Sequence, residues 1–332
     1  MISPKRIPIF IALLLLILIA SVFAAICIGR YTISIYELFA QLSFSGGSDP
    51  LAKTVVWDIR FPRVLTALTV GAGLSVAGLA LQAMFSNPLV DTQILGVSSA
   101  AGFGAALGIL LFDSTLLTQI TAVIFGFIGM AATYWMSKKE NSNPILMLVL
   151  SGIIVGAIFQ ALISLTKFVA DPDQQLPAIT YWLMGSLAGA HTESFLRSLP
   201  LYVLGIGIIW FIRWHLNVLS LPEDEAVSMG VNVKLIRGLI IVSSTILAAV
   251  SVSLCGMISF VGLAIPHFCR MLVGSNHKTL VPVCIIVGAI FLLAIDVTAR
   301  TVTEAEIPLS VLTALIGAPF FAVLLKKTGG IW

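Results

Sequence analysis

The stretch VLTALTVGAGLSVAGLALQAMF, residues 64–85, contains no charged side chain. As an α-helix it is about 33 Å long, enough to cross a hydrocarbon core about 30 Å thick. Its apolar residues show no polar face, so it reads as a buried membrane-spanning helix and not as the amphipathic helix of a water-soluble domain. Working outward, further apolar runs lie at Ile7–Ile28, Ile94–Phe112, Thr118–Met136, Ile145–Leu165, Phe195–Trp214, Gly238–Met257, Ile258–Val273, Leu280–Val297 and Ile307–Leu325. The predicted fold class is therefore all-α, a polytopic membrane protein with about ten transmembrane helices forming one transmembrane domain over residues 1–332.

Composition agrees. Of the 332 residues 59% are hydrophobic and 10% charged, against roughly 25% charged in soluble domains. The formal charge of +3 is small, and the basic residues sit at the ends of apolar runs, which gives no nucleic-acid signal. Lys5 and Arg6 before the first run resemble a signal peptide, but the run is long enough to span and reads as a retained helix. Cys27, Cys255, Cys269 and Cys284 lie in or beside apolar runs without CxxC spacing and are expected to be small buried residues, with no disulfide and no zinc site.

The distribution of cations sets the topology. The positive-inside rule places Lys5 and Arg6, Lys138 and Lys139, Arg213 with Lys234 and Arg237, and Lys326 and Lys327 in the cytoplasm. An even number of crossings must then separate Arg237 from Lys326, which requires Ile258–Val273 to count as a span although it holds Pro266, His267 and Arg270. Both termini are predicted to be cytoplasmic. Longer connections at residues 29–63, 167–193 and 217–237 each have room for a short helix. In the first, Ile33, Tyr36, Leu38, Phe39 and Leu42 form an amphipathic pattern suited to the membrane surface. In the second, Tyr181 and Trp182 fall at the interface level that aromatic rings favour. In the third, Pro222 followed by EDEAVSMG, residues 223–230, predicts a short helix with acids at its start and a glycine at its end.

The glycines of GAGLSVAGLALQ, residues 71–82, and GVSSAAGFGAALG, residues 96–108, suit close helix packing in lipid. Ionisable groups are nearly absent from the spans. Asp296 lies near the end of the ninth and Asp91 in the turn after the second, so no proton or sodium relay is visible. A phosphate-binding loop of the form GxxxxGK[ST] is missing, and so is any catalytic constellation; the chain reads as a non-enzyme, and any ATP chemistry must sit on another chain. His267 beside Pro266, with no second ligand at helical spacing, reads as structural. Pro266 is expected to kink or break its helix. No metal site and no cofactor are predicted.

RFPR at residues 60–63, GLALQAMFSNPLVDTQILGVSSAAG at 78–102, SFVGLAIPHFCR at 259–270 and EIPLSVLTALIGAPFFAVLL at 306–325 together resemble the iron-siderophore and cobalamin permeases of type II ATP-binding-cassette importers, the FecCD-type family. The resemblance implies a ten-helix subunit paired with a second permease copy, two ATPase subunits on the cytoplasmic side, and an extracytoplasmic substrate-binding protein, in a bacterial inner membrane. It implies a pathway between the two permeases, with Asn87 and Leu89 at a cytoplasmic gate and Ser151, Gly152 and Gln160 on the fifth helix lining it, together with the tenth. It places ATPase coupling at Leu221, Glu225, Ala226, Met229 and Gly230, although Glu225, Ala226 and Gly230 are one residue closer than the general importer signature EAAxxxG. Topology puts Arg60, Arg63 and Arg300 at the outer surface, and the resemblance implies that they dock the binding protein. The cargo read from this resemblance is a metal chelate such as iron-siderophore, haem or cobalamin; the alternatives are a small oxyanion such as molybdate or tungstate, or a membrane sensor or scaffold that moves nothing.

Overall fold

The computed structural model describes residues 4–42, 50–138 and 144–328; Lys139, used above to set the topology, lies outside them. Ten apolar helices follow in chain order: α1 (Ile7–Cys27), α2 (Phe61–Phe85), α3 (Val97–Leu111), α4 (Thr115–Ser137), α5 (Pro144–Val169), α6 (Thr192–Ile212), α7 (Val233–Cys255), α8 (Val261–Val273), α9 (His277–Thr301) and α10 (Leu309–Thr328). Among the described residues seven helices are long and apolar enough to cross a membrane, one of them α2 with its helical lead-in from Pro50, while α3, α8 and the described part of α10 are shorter.

The short spans have local causes. Gly96 adopts a left-handed φ of 73°, which separates a 3₁₀ turn at Thr92–Leu95 from α3. The chain leaves α7 at Gly256, φ 72°, and re-enters a helix only after Phe260, φ 66°, so α8 has 13 residues and a length of about 20 Å. The run expected to be helical from Ile258 therefore begins at Val261. Pro266 does not break α8. Proline has no N–H to give the carbonyl four residues earlier, and that carbonyl, of Gly262, instead accepts from Gln82 Nε2 of α2 at 3.2 Å.

Contacts fix the direction of each helix. At one end, called here the upper end, the C-terminus of α1 meets the end of α9, because Arg300 donates to the Ala25 carbonyl. At the lower end, Asn217 accepts from the backbone N–H of His277 at the start of α9. The helices alternate between these ends, and α1 starts at the end where α10 finishes.

Almost every residue of α2 is buried, so it forms the centre of the bundle. It crosses α9 where Gly71 and Gly288 face each other: a Cβ on Gly288 would lie 2.5 Å from the Gly71 carbonyl oxygen and 2.6 Å from Ser75 Cβ. It crosses α8 where Gly78 meets the Gly262 backbone. Gly104 and Gly108 of α3 likewise admit Thr118, Thr121 and Ala122 of α4. Lipid offers helices no hydrophobic reason to associate, so such van der Waals contact is what holds them. Cys255, Cys269 and Cys284 are buried and Cys27 half-buried, all four as free thiols.

The upper end is tied by charge. Arg63 bonds Asp296 through Nε at 2.8 Å and Glu306 through Nη1 at 2.8 Å and Nη2 at 3.0 Å. Asp296 also faces Arg300 at 3.5 Å. Arg60 donates to the carbonyls of Ile26, Cys27 and Tyr31, closing the C-terminus of α1. The three arginines, expected as an exposed cluster, are 4%, 6% and 7% accessible and engaged within the chain. The physical reason is Asp296, fully buried one helical turn before Arg300, together with a helix C-terminus whose last carbonyls need donors.

All three long connections contain short helices: Ile35–Leu42, Pro50–Thr54 and Val55–Arg60 in the first, Gln175–Leu183 in the second, His215–Val218 and Glu223–Ser228 in the third. The amphipathic pattern of the first divides: Ile33 and Leu38 are buried against the bundle, while Tyr36 and Phe39 point outward. Trp182 is likewise more than an interfacial anchor, since its carbonyl packs on Gly256 at the end of α7.

Two outcomes are expected in thermal unfolding of the purified protein in detergent. Gly288→Leu, which forces α9 off α2, loses stability by about 1–3 kcal/mol or more, whereas Gly207→Ala, where a Cβ would meet nothing within 4 Å, leaves the transition unchanged. Asp296→Asn removes the anion shared by two buried arginines and costs about 3–5 kcal/mol; unaltered unfolding of Asp296→Asn would show that the cluster does not hold the upper end together.

Candidate gate and coupling surfaces

At the lower end the chain turns sharply after α2. Ser86 takes a left-handed φ of 47° and Asn87 Oδ1 accepts from the Leu89 backbone N–H at 2.9 Å, an Asx turn that presents Asn87 and Leu89 at the surface. Val90 and Thr92 are buried beyond it. Asp91 accepts from the Thr92 N–H at 2.6 Å and the Thr92 hydroxyl at 3.2 Å. Burial pushes its carboxyl pKa up from the ordinary value, the Thr92 bonds pulling the other way. Any side chain on Gly262 would run into this carboxylate, so the turn is seated on α8 as well as on α2.

A cavity of about 520 Å³ opens below the turn, lined by Asn87 and Gln82 and, from α8 and α9, by His267, Arg270 and His277. No carboxylate among the described residues lines it. Among the described residues Arg270 has no ion pair. His277 is held by Asn217 Oδ1, which lies 3.0 Å from Nδ1. His267 packs edge-on against Phe321 of α10, in agreement with a structural role.

The residues expected on the pathway separate into two groups. Ser151 and Gly152 of α5 face inward: Ser151 is buried, and a Cβ on Gly152 would overlap the Ile94 carbonyl and lie 2.9 Å from Leu95 Cα. They seat the 3₁₀ turn that follows Asp91. Gln160 lies on the free face of α5 with Ile153, Ala157 and Ser164. That face carries one amide and one hydroxyl among apolar neighbours. The exposed face of α10, with Val311, Leu315 and Ile316, has the same apolar character.

The short helix Glu223–Ser228 follows Pro222 as expected, with Glu223, Asp224 and Glu225 in its first turn, where the helix dipole favours anions. It ends in a left-handed Gly230, φ 77°, with the Val231 N–H returning to the Ala226 carbonyl at 3.3 Å. Ala226 is buried and anchors it, and Arg237 of α7 pairs with Glu223 at 3.1 Å. Leu221, Glu225, Met229 and Gly230 are left exposed, with Val227 at 59% beside them. The sequence did not mark Gln82, Arg270 or His277 as lower-end residues; the signal was a lone amide, a lone arginine and a histidine within or beside apolar runs.

The chain as a whole is matched by known proteins. Residues 15–327 match the FecCD transport family. The molybdate import system permease protein MolB of Haemophilus influenzae is 41% identical over 98% of this chain and 97% of its own length. The hemin transport system permease protein HmuU of Yersinia pestis is 36% identical over 82% of this chain and 83% of its own. A solved structure described as a metal-chelate type ABC transporter in an inward-facing conformation superposes with a TM-score of 0.88 at 41% identity, covering 96% of this chain and 99% of that one. With the apolar ten-helix bundle, these matches make the chain a member of the FecCD transport family, a membrane permease of the type II ATP-binding-cassette importers.

Proposed function

We propose that this chain is the membrane-spanning half of an ATP-driven importer in a bacterial inner membrane, working as a pair of copies that carries an anionic metal species delivered by a substrate-binding protein. The carrying observation is the surface helix Glu223–Ser228, which exposes Leu221, Val227 and Met229 at the same end as the Asn87 turn and is tied to α7 by Glu223 and Arg237. An exposed apolar edge beside acidic residues suits a motor subunit that pushes on α7 as it binds and hydrolyses ATP. That end is the cytoplasmic one in this reading, so both termini are cytoplasmic. Asn87 and Leu89 form the gate, and Gln160 with the free face of α5 lines a pathway between two copies. Ser151 and Gly152 support the gate from behind. Arg60, Arg63 and Arg300 shape the binding-protein end from within.

The cargo is read as an anion because the cavity under the gate carries Arg270 without an acidic partner. A metal chelate remains the first reading. The oxyanion reading, molybdate or tungstate, is favoured by the 41% identity to the Haemophilus influenzae molybdate permease over nearly the whole of both chains. The apolar pathway face has little to grip either cargo, so affinity resides in the binding protein.

The test is uptake into proteoliposomes holding the permease, its ATPase and its binding protein. Accumulation of radiolabelled molybdate or of a labelled ferric chelate that requires both ATP and the binding protein is the expected result, and the species accumulated names the cargo. No ATP-dependent uptake of either anion overturns the proposal. In the same system Met229→Glu is expected to leave the permease folded, because Met229 is 53% exposed and has an ordinary φ of −79°, while uptake falls by about tenfold or more, the loss of about 1.4 kcal/mol of coupling. Uptake at the unmodified rate would remove this helix from the coupling surface.

A further inference from the structure

Two cavities along α4 and α7 join into one groove. The lower, about 350 Å³, lies at the lower end and is lined by Lys138, Lys234, Arg237 and Glu223, with apolar residues of α2 and α5 behind. The other, about 290 Å³, is lined almost wholly by apolar side chains of α4 and α7, among them Phe127, Met130 and Val242. Tyr134, Gly238 and Ile241 line both, so the polar chamber opens directly into an apolar slot between two membrane-spanning helices.

The charges of the described residues in the lower chamber do not balance. Among the described residues Glu223 is its one carboxylate and is already paired with Arg237 at 3.1 Å. Lys138 lies 5.0 Å from the centre of the Tyr134 ring, and neither it nor Lys234 makes an ion pair among the described residues. The buried Arg237 Nε has no hydrogen-bond partner there. A chamber with surplus cations at the end of a spanning bundle, continued by an apolar slot directed into the bilayer, has the form of a headgroup with an acyl chain. Gly238 creates the junction, since a Cβ at that position would meet nothing within 4 Å.

We infer that this groove binds one anionic phospholipid of the adjoining leaflet, with its phosphate on Lys138, Lys234 and Arg237 and an acyl chain laid between α4 and α7. The headgroup then contacts the Glu223–Arg237 pair that ties the surface helix to α7, so lipid charge reaches the surface assigned to motor coupling. Binding itself rests on the groove alone and needs neither cargo nor ATPase.

The experiment is native mass spectrometry of the purified full-length chain, delipidated and then offered phosphatidylglycerol or phosphatidylcholine. The wild type is expected to retain phosphatidylglycerol in preference to phosphatidylcholine. Lys138→Gln combined with Lys234→Gln is expected to weaken that retention by about thirtyfold, the worth of two lysines at an anionic surface. Gly238→Leu is expected to abolish it by filling the slot, and being a helix-favouring change into open space it preserves the fold. Arg213→Gln, which removes a lower-end cation outside the groove, serves as the control and retains lipid as the wild type does. Equal retention of the two lipids, or undiminished phosphatidylglycerol binding in Gly238→Leu, overturns the inference. Because no transport is measured, failure here leaves the importer reading untouched, and failure of uptake leaves this one untouched.

Discussion

A backbone carbonyl inside a bilayer has no water to turn to, and an unmet one costs several kcal/mol. Gly262 is where this protein meets that constraint most directly. Pro266 removes the N–H its carbonyl would receive within α8, and Gln82 of α2 supplies the replacement. The same residue has no side chain, which lets α2 close on it at Gly78 and lets the Asp91 carboxylate lie against it. One peptide unit therefore joins the central helix, the shortened helix α8 and the turn that carries Asn87. Movement of any of the three must be accommodated by the other two.

The upper half of the bundle answers the same constraint differently. There α7 stops at Gly256, and the freed backbone is matched with other interrupted elements: the Ser186 N–H donates to the Cys255 carbonyl at 2.9 Å, and the Leu309 N–H at the start of α10 donates to the Gly185 carbonyl at 2.9 Å. The Ser310 hydroxyl adds a bond to the Met184 carbonyl at 2.6 Å. Non-helical backbone at membrane depth persists only where protein satisfies it. Here the end of Gln175–Leu183, the end of α7 and the beginning of α10 satisfy one another, so helices distant in sequence share one junction. Beside it the cluster around Asp296 binds α1, α2 and α9 through charge. The two ends of the bundle are thus built unlike each other, with charge and backbone interlocks above, and the Asn87 turn and the helix Glu223–Ser228 below.

Much of this architecture was legible from the chain alone. Ten apolar runs, cations at their ends, and glycines spaced for close approach predict the helices and two stretches that pack closely, because in lipid those are the dominant physical terms. Pro222 and Gly230 bracketed the surface helix at 223–228, since a helix needs a start and a stop that each leave a local mark. Three things were decided only by tertiary structure. The arginines at 60, 63 and 300 read as exposed because topology gives the end of the bundle a side chain occupies but not its partner, and Asp296 and Glu306 become partners only when α9 and the loop after it close on α2. Ser151 and Gly152 were placed on the pathway by the resemblance alone, and that they face Leu95 is set only by how α5 packs. Pro266 read as a helix breaker because its compensation, Gln82, lies far away in sequence. In each case the deciding contact is between side chains or peptide groups from separate helices, and no local propensity encodes it.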